Sequence, residues 1–149
     1  MSNIRPYRGK RIDNDEWVQG SLLELWKTDV KPSDSEDGIH DLVDVKAYYI
    51  VKEVHTDFEF DDEYRHEVRP ETIGQLIGLN DKNGKEICEG DIDGQYDRDY
   101  GYRQVVYKDG QYGLQYADDV SSFDPFILWD STVIIGNKHD NPELLEVNL

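Results

Sequence analysis

The chain is poor in cysteine, in basic residues and in long apolar runs. A single cysteine, Cys88, excludes an intramolecular disulfide. No stretch approaches the ~20 apolar residues that a membrane-spanning helix needs, and no basic segment followed by an apolar core opens the chain. The expected compartment is therefore the cytoplasm, with no membrane partner. Only 16 Lys and Arg stand against 33 Asp and Glu, a net charge of −17 at pH 7. Contact with a phosphate backbone needs a basic surface, so no direct binding to nucleic acid is expected. Heptads and Gly-rich phosphate loops are missing too, which argues against a coiled coil and a nucleotide-binding loop.

What is present fits one ordinary domain of 149 residues. Hydrophobic residues are scarce at 37%, yet aromatics reach 11%, with ten Tyr and three Trp. Disordered chains are poor in aromatics, so a Tyr- and Trp-containing core is expected. The acidity is uneven. Residues 1–30 are balanced in charge, and all the net negative charge follows them. The first eleven residues carry Arg5, Arg8, Lys10 and Arg11 with no acid.

Residues 4–12 and 17–26 read as two strands around the polar turn Asp13-Asn14-Asp15-Glu16, and Gly20 favours strand over helix in the second. Residues 28–44, rich in acids and carrying Pro32 and Gly38, read as a long surface loop. Ala47 to Val51 is a β-rich run and a third strand. Asp57 to Glu63, with alternating Phe58 and Phe60, fits an edge strand or a second loop. Pro70-Glu71-Thr72 starts one helical turn. Asn83-Gly84 marks a hairpin. A two-residue loop there sets Lys82 against Lys85 and Asp81 against Glu86, so the register chosen is a three-residue loop, Lys82-Asn83-Gly84, with Gly84 left-handed. It pairs Asp81 with Lys85 and Leu79 with Ile87. Asp109-Gly110 predicts a second hairpin with a type I′ turn, pairing Tyr107 with Tyr112, Val105 with Leu114 and Arg103 with Tyr116 on a buried face. Phe126–Trp129 and Thr132–Ile135 read as short strands. Asn141-Pro142-Glu143 reads as the capped start of a short terminal helix. Together these predict a mainly β fold (α+β at most), a small barrel or sandwich of hairpins with one or two short helical turns.

With these elements placed, the chain resembles the YopX family, small proteins encoded by phages and prophages of mainly Gram-positive bacteria. The matching residues are Tyr7-Arg8-Gly9-Lys10-Arg11-Ile12, Glu16-Trp17-Val18-Gln19-Gly20, Pro70-Glu71-Thr72-Ile73-Gly74-Gln75 and Gly78-Leu79. They continue in Asp81-Lys82-Asn83-Gly84-Lys85-Glu86-Ile87, Glu89-Gly90-Asp91-Ile92, Ile134-Ile135-Gly136-Asn137 and Asn141-Pro142-Glu143-Leu144-Leu145. The resemblance spans nearly the whole chain. It implies a phage-derived origin in a bacterial host cell, a β-rich fold and self-assembly. It brings no activity and no catalytic residues. It also frames the domain as one unit over 1–149, with a possible N-terminal hairpin part (1–69) and a C-terminal β-barrel-like part (70–149). The departure from the family pattern is Asp93-Gly94, where an apolar residue is usual after Ile92. It argues against a simple continuous strand there.

Candidate chemistry is thin. Glu89, Asp91, Asp93, Gly94 and Asp97 partly match a calcium loop, but the first position is not Asp, Tyr100 stands where the closing Glu belongs, and no helices flank it. Those four carboxylates are weak metal candidates, outweighed by a polar strand end and turn. His139-Asp140 and His66-Glu67 each carry part of a metal motif without its partners. Cys88, beside Ile87 in a predicted strand, reads as a buried structural thiol rather than a nucleophile. Tyr96, Tyr100, Tyr102, Tyr107, Tyr112 and Tyr116 fit cross-strand packing better than a ligand groove. No catalytic residue, cofactor site or metal site is assigned. The leading expectation is a non-enzymatic accessory protein that binds proteins, itself first, with a host protein as a further candidate partner. The alternative is an acidic DNA mimic that occupies a host protein's nucleic-acid site. A metal-assisted enzyme comes third.

Overall fold

The computed structural model describes residues 6–31, 41–52, 65–117 and 119–146. The fold is mainly β, built of antiparallel sheets with short 3-10 turns, and among the described residues no sheet closes into a barrel. The chain divides into two compact units, Pro6–Ile73 and the chain from Gly74 onward.

In the first unit the strands are β1 (Tyr7–Lys10), β2 (Trp17–Lys31), β3 (Asp41–Val51) and β4 (Arg65–Glu67), hydrogen-bonded in the order β4-β3-β2-β1. The predicted turn at 13–16 is present. Asp15 takes a left-handed φ of 58° there, and Asn14 Oδ1 accepts the Glu16 amide. The loop expected over 28–44 is corrected at both ends, where 28–31 and 41–44 are strand, and its middle, 32–40, lies outside the described residues. β2 and β3 pair in unbroken register from Ser21 opposite Val51 to Lys31 opposite Asp41. Polar composition misled the reading, because cross-strand polar pairs hold this ribbon. Thr28 donates to Asp44, and Lys46 bridges Glu24 at 2.8 Å. The expected segment Asp57–Glu63 lies outside the described residues. Val18, Ile50 and Val68 form the buried core, with Tyr7, Leu22, Tyr48 and Ile73 packed on it. Gly9 lies against Val68, where a Cβ would touch the side chain at 3.0 Å.

The second unit holds the hairpin β5 (Gly74–Asn80) and β6 (Glu86–Cys88). It also holds a four-stranded sheet of β7 (Asp91–Asp97), β8 (Gly101–Lys108), β9 (Gln111–Tyr116) and β10 (Ile134–Asn137), in the order β10-β7-β8-β9. Gly84 is left-handed at φ 82°, and the Asp81 amide donates to the Lys85 carbonyl, as the three-residue loop requires. Asn80 faces Glu86 in that register. The register then shifts so that Leu76 faces Cys88, with Gly78 at φ 84° inside the shift. The Asp109-Gly110 hairpin has the expected register throughout, and both loop residues have positive φ. Strand β7 runs through Asp93-Gly94, but its pairing slips on both sides, toward β8 and toward β10.

Two details are corrected. Phe126–Trp129 is not a strand. It runs unpaired into the 3-10 turn Trp129–Ser131. The other is Asn141, which precedes the 3-10 turn Pro142–Leu145 but does not cap it. Its Oδ1 accepts the Asn137 amide instead. The core is Ile77, Ile87, Val105, Leu114 and Ile134, with Tyr112, Ile127 and Trp129 packed on it. Each fully buried aliphatic contributes about 1.5–3 kcal/mol.

Candidate functional site

The acidic run expected as the weak metal candidate folds into a turn and a strand. Glu89-Gly90 is the turn between β6 and β7, with Gly90 left-handed at φ 91°. The Gly90 amide donates to the Val105 carbonyl, and the Lys138 amide donates to the Gly90 carbonyl. Asp91 is fully buried, and its Oδ2 accepts the Cys88 amide at 2.8 Å. Asp93 is buried too. Its Oδ1 accepts the Val133 amide, and Arg103 lies 3.9 Å from Oδ2. Asp97 accepts the Asp99 and Tyr100 amides and so shapes the turn between β7 and β8. These carboxylates therefore accept backbone N–H groups at the turns and strand ends around β7. Among the described residues, no three His, Cys, Asp or Glu side chains gather as a metal would need.

The strongest carboxylate site was not singled out from sequence. Asp81 is buried at the mouth of the β5–β6 turn. Its Oδ1 accepts the Asn83 and Lys85 amides at 2.9 and 2.8 Å, and its Oδ2 accepts the Ile134 amide at 3.0 Å. The Ile134 bond leads in holding its pKa below the ordinary 3.8. Burial opposes, and the Lys85 and Asn83 amides add to the lowering. One side chain thus fixes the turn and pins β10 to it. The available signal was an Asp opening an Asn-Gly turn, which is Asx-turn chemistry. The reach to Ile134 had none.

The remaining candidates resolve into structure. Cys88 is fully buried in β6. Asn137 Oδ1 accepts the His139 and Asp140 amides, so His139-Asp140 sits in a tight turn. The tyrosines pair as ring contacts: Tyr96 with Tyr102 at 5.0 Å, Tyr100 with Tyr116 at 5.4 Å, Tyr107 with Tyr112 at 5.0 Å. The predicted buried face of the β8–β9 hairpin is buried at Val105 and Leu114, while Tyr107 at its end is 55% exposed. The opposite face is occupied at Gly113. Phe123 and Asp124 cover it, and the Leu114 amide and carbonyl pair with Asp124.

Surfaces for contact are more evident than pockets for chemistry. Beyond Gly20, β2 has no partner on its outer edge from β1, and β4 pairs only with Tyr49–Val51 of β3. Between these limits the β2–β3 ribbon carries Trp26 at 71% exposure and Leu42 at 73%. Register places both side chains on one face, because Trp26 lies opposite Lys46 and Leu42 opposite Val30. In the other unit, Phe126 is 90% exposed and Leu128 76%. Among the described residues, no helix is long and apolar enough to cross a membrane.

A family model described as YopX protein matches residues 6–146 of the chain. The crystal structure of protein EF1440 from Enterococcus faecalis is similar over 97% of this chain and 100% of that one, with 27% sequence identity and a TM-score of 0.47. No curated protein matches.

Proposed function

The chain belongs to the YopX protein family, and from that premise we propose that it is a non-enzymatic accessory protein of phage or prophage origin that acts by binding proteins, itself included. The observation that carries this reading is the β2–β3 ribbon. A two-stranded ribbon is marginal on its own, and this one holds exposed Trp26 and Leu42 on one face with strand edges that no other described strand pairs. Aromatic anchors of this kind dominate protein interfaces, and open edges recruit further strands. A second support is negative in form. The residues that carry the family resemblance have structural work: Asp81 and Asp91 bind amides, Gly84 and Gly90 turn the chain, and Arg8 lies over the Trp17 ring at 4.7 Å. None of this work needs a substrate.

Hydrogen exchange tests the ribbon as the contact. Amides of 24–29 and 42–46 are expected to gain protection as protein concentration rises, while those of β8 and β9 do not change. Exchange independent of concentration throughout the ribbon would contradict the reading.

DNA mimicry receives less support. It needs carboxylates displayed at phosphate-like spacing, and Asp81, Asp91 and Asp93 are buried against amides instead.

A further inference from the structure

In the second unit, cross-strand packing leaves part of the aromatic surface of the β8–β9 hairpin uncovered. Tyr107 and Tyr112 face each other across it, with ring centroids 5.0 Å apart and planes inclined at 62°. In such an edge-on contact one ring covers the other only in part, and Tyr107 stays 55% exposed. A cleft of about 370 Å³ opens beside the pair. Strand β5 lines it with Gln75 and Leu79, the hairpin with Tyr107, Gln111 and Tyr112, and the 3-10 turn after Leu128 with Trp129.

The polar groups of the cleft are positioned but not used up. Tyr112 Oη donates to Gln75 Oε1 at 2.8 Å. That bond fixes the Gln75 carboxamide and leaves its amino group without an acceptor among the described residues. The Gln111 carboxamide, on the exposed end of the hairpin, makes no hydrogen bond with them either, nor does the Trp129 indole N–H. A carboxamide donates through its nitrogen and accepts through its oxygen. A ligand in this cleft therefore meets an uncovered ring face, the exposed side chain of Leu79, and hydrogen-bonding groups of both kinds.

We propose that this cleft binds a saccharide through one pyranose ring, independently of the β2–β3 ribbon. A pyranose joins a face of C–H groups to a rim of hydroxyls. The C–H face suits the electron-rich face of Tyr107 and the side chain of Leu79. Each hydroxyl both donates and accepts, which matches the free amino group of Gln75 and the whole carboxamide of Gln111. The volume falls in the ordinary range of small-molecule sites, about 300–1,000 Å³. Two other ligand classes that use aromatic surfaces fit less well. A proline-rich strand has few N–H donors and leaves the Gln111 oxygen without a partner. A nucleotide brings phosphate to a chain of net charge −17.

The test is proton–nitrogen NMR of the full chain during titration with methyl glucoside, methyl galactoside and N-acetylglucosamine. Sorbitol, which has hydroxyls but no ring, is the control, and adenosine and a proline-rich peptide are the competing probes. At least one sugar is expected to shift the Gln75 and Gln111 side-chain amides and the Trp129 indole signal saturably, while the amides of β2 do not move. Tyr107→Ala abolishes the saturable shift, whereas Tyr107→Phe, which keeps the ring, retains it. Gln111→Ala weakens the apparent affinity about tenfold. Both positions lie at the surface, so the folded spectrum is retained. No saturable shift with any of the sugars overturns the proposal. So does an equal shift with sorbitol, a shift unchanged in Tyr107→Ala, or a response to adenosine or the peptide in place of the sugars.

Discussion

Single residues in this chain divide into those that set backbone conformation and those that satisfy it. Gly84 belongs to the first group. A Cβ there meets nothing within 4 Å, so the cost of a side chain is conformational alone. Gly84→Val is expected to destabilise by about 1–2 kcal/mol, measured by denaturant unfolding. A neutral substitution would remove the left-handed turn from the account. Gly113 is the contrasting case, since its φ is ordinary but a Cβ would collide with the Asp124 carbonyl oxygen and the Phe123 ring. Asp81 belongs to the second group. Asp81→Ala removes the acceptor of three amides, the buried one of Ile134 among them, and a loss of about 1–3 kcal/mol is expected. The pH dependence follows from the same bonds. The folded-state pKa of Asp81 lies below 3.8, so its stabilisation is complete above that value and lost as pH falls through the lower folded value. Wild type is therefore expected to lose more stability than Asp81→Asn in acid unfolding below about pH 4. Turn glycines were legible because their chemistry is local. The Asp81–Ile134 bond was not, because it joins residues 53 apart.

At the scale of elements, the β8–β9 hairpin was legible rung by rung. Asp-Gly fixes a two-residue loop, and period-two alternation then decides every partner. Leu114→Ala is expected to cost about 2–5 kcal/mol and Val105→Ala at least about 1 kcal/mol, while Gln111→Ala costs about 0.5 kcal/mol or less. Equal effects at Leu114 and Gln111 would contradict the burial pattern. The same alternation overstated burial at Tyr107, because a face is buried only as far as another element covers it. The β2–β3 ribbon was misread for a related reason. Its outer rungs are held by polar pairs such as Thr28 with Asp44 and Glu24 with Lys46, so hydrophobic patterning gave no signal. Segment 126–128 failed in the other direction. Its apolar run predicts a strand, but Ile127 alone packs on the core and Phe126 and Leu128 face outward without a ladder. The calcium-like run matched a calcium loop only in part, and its aspartates accept backbone amides, a use that spacing alone does not disclose.

For the whole molecule, charge is the dominant global property. A net charge of −17 makes self-repulsion a destabilising term that salt screens. The melting temperature is expected to rise from low to moderate ionic strength. A flat or falling curve would mean that ion pairs such as Lys27–Glu67 and Lys46–Glu24 outweigh the repulsion. The same screening would favour the proposed association of like-charged copies through the ribbon. Fold class and family were legible in the sequence because turn glycines and short apolar strands carry them. The proposed contact surface was not, because Trp26 ends a predicted strand whose exposed face composition does not mark, and Leu42 lies in a stretch that composition marks as loop. The most direct test of the account is molar mass by light scattering across a concentration series at moderate salt. The account predicts a mass above 17.4 kDa that grows with concentration and returns to the monomer value in Trp26→Glu combined with Leu42→Glu. A wild-type chain that stays at 17.4 kDa at the highest concentration would contradict it.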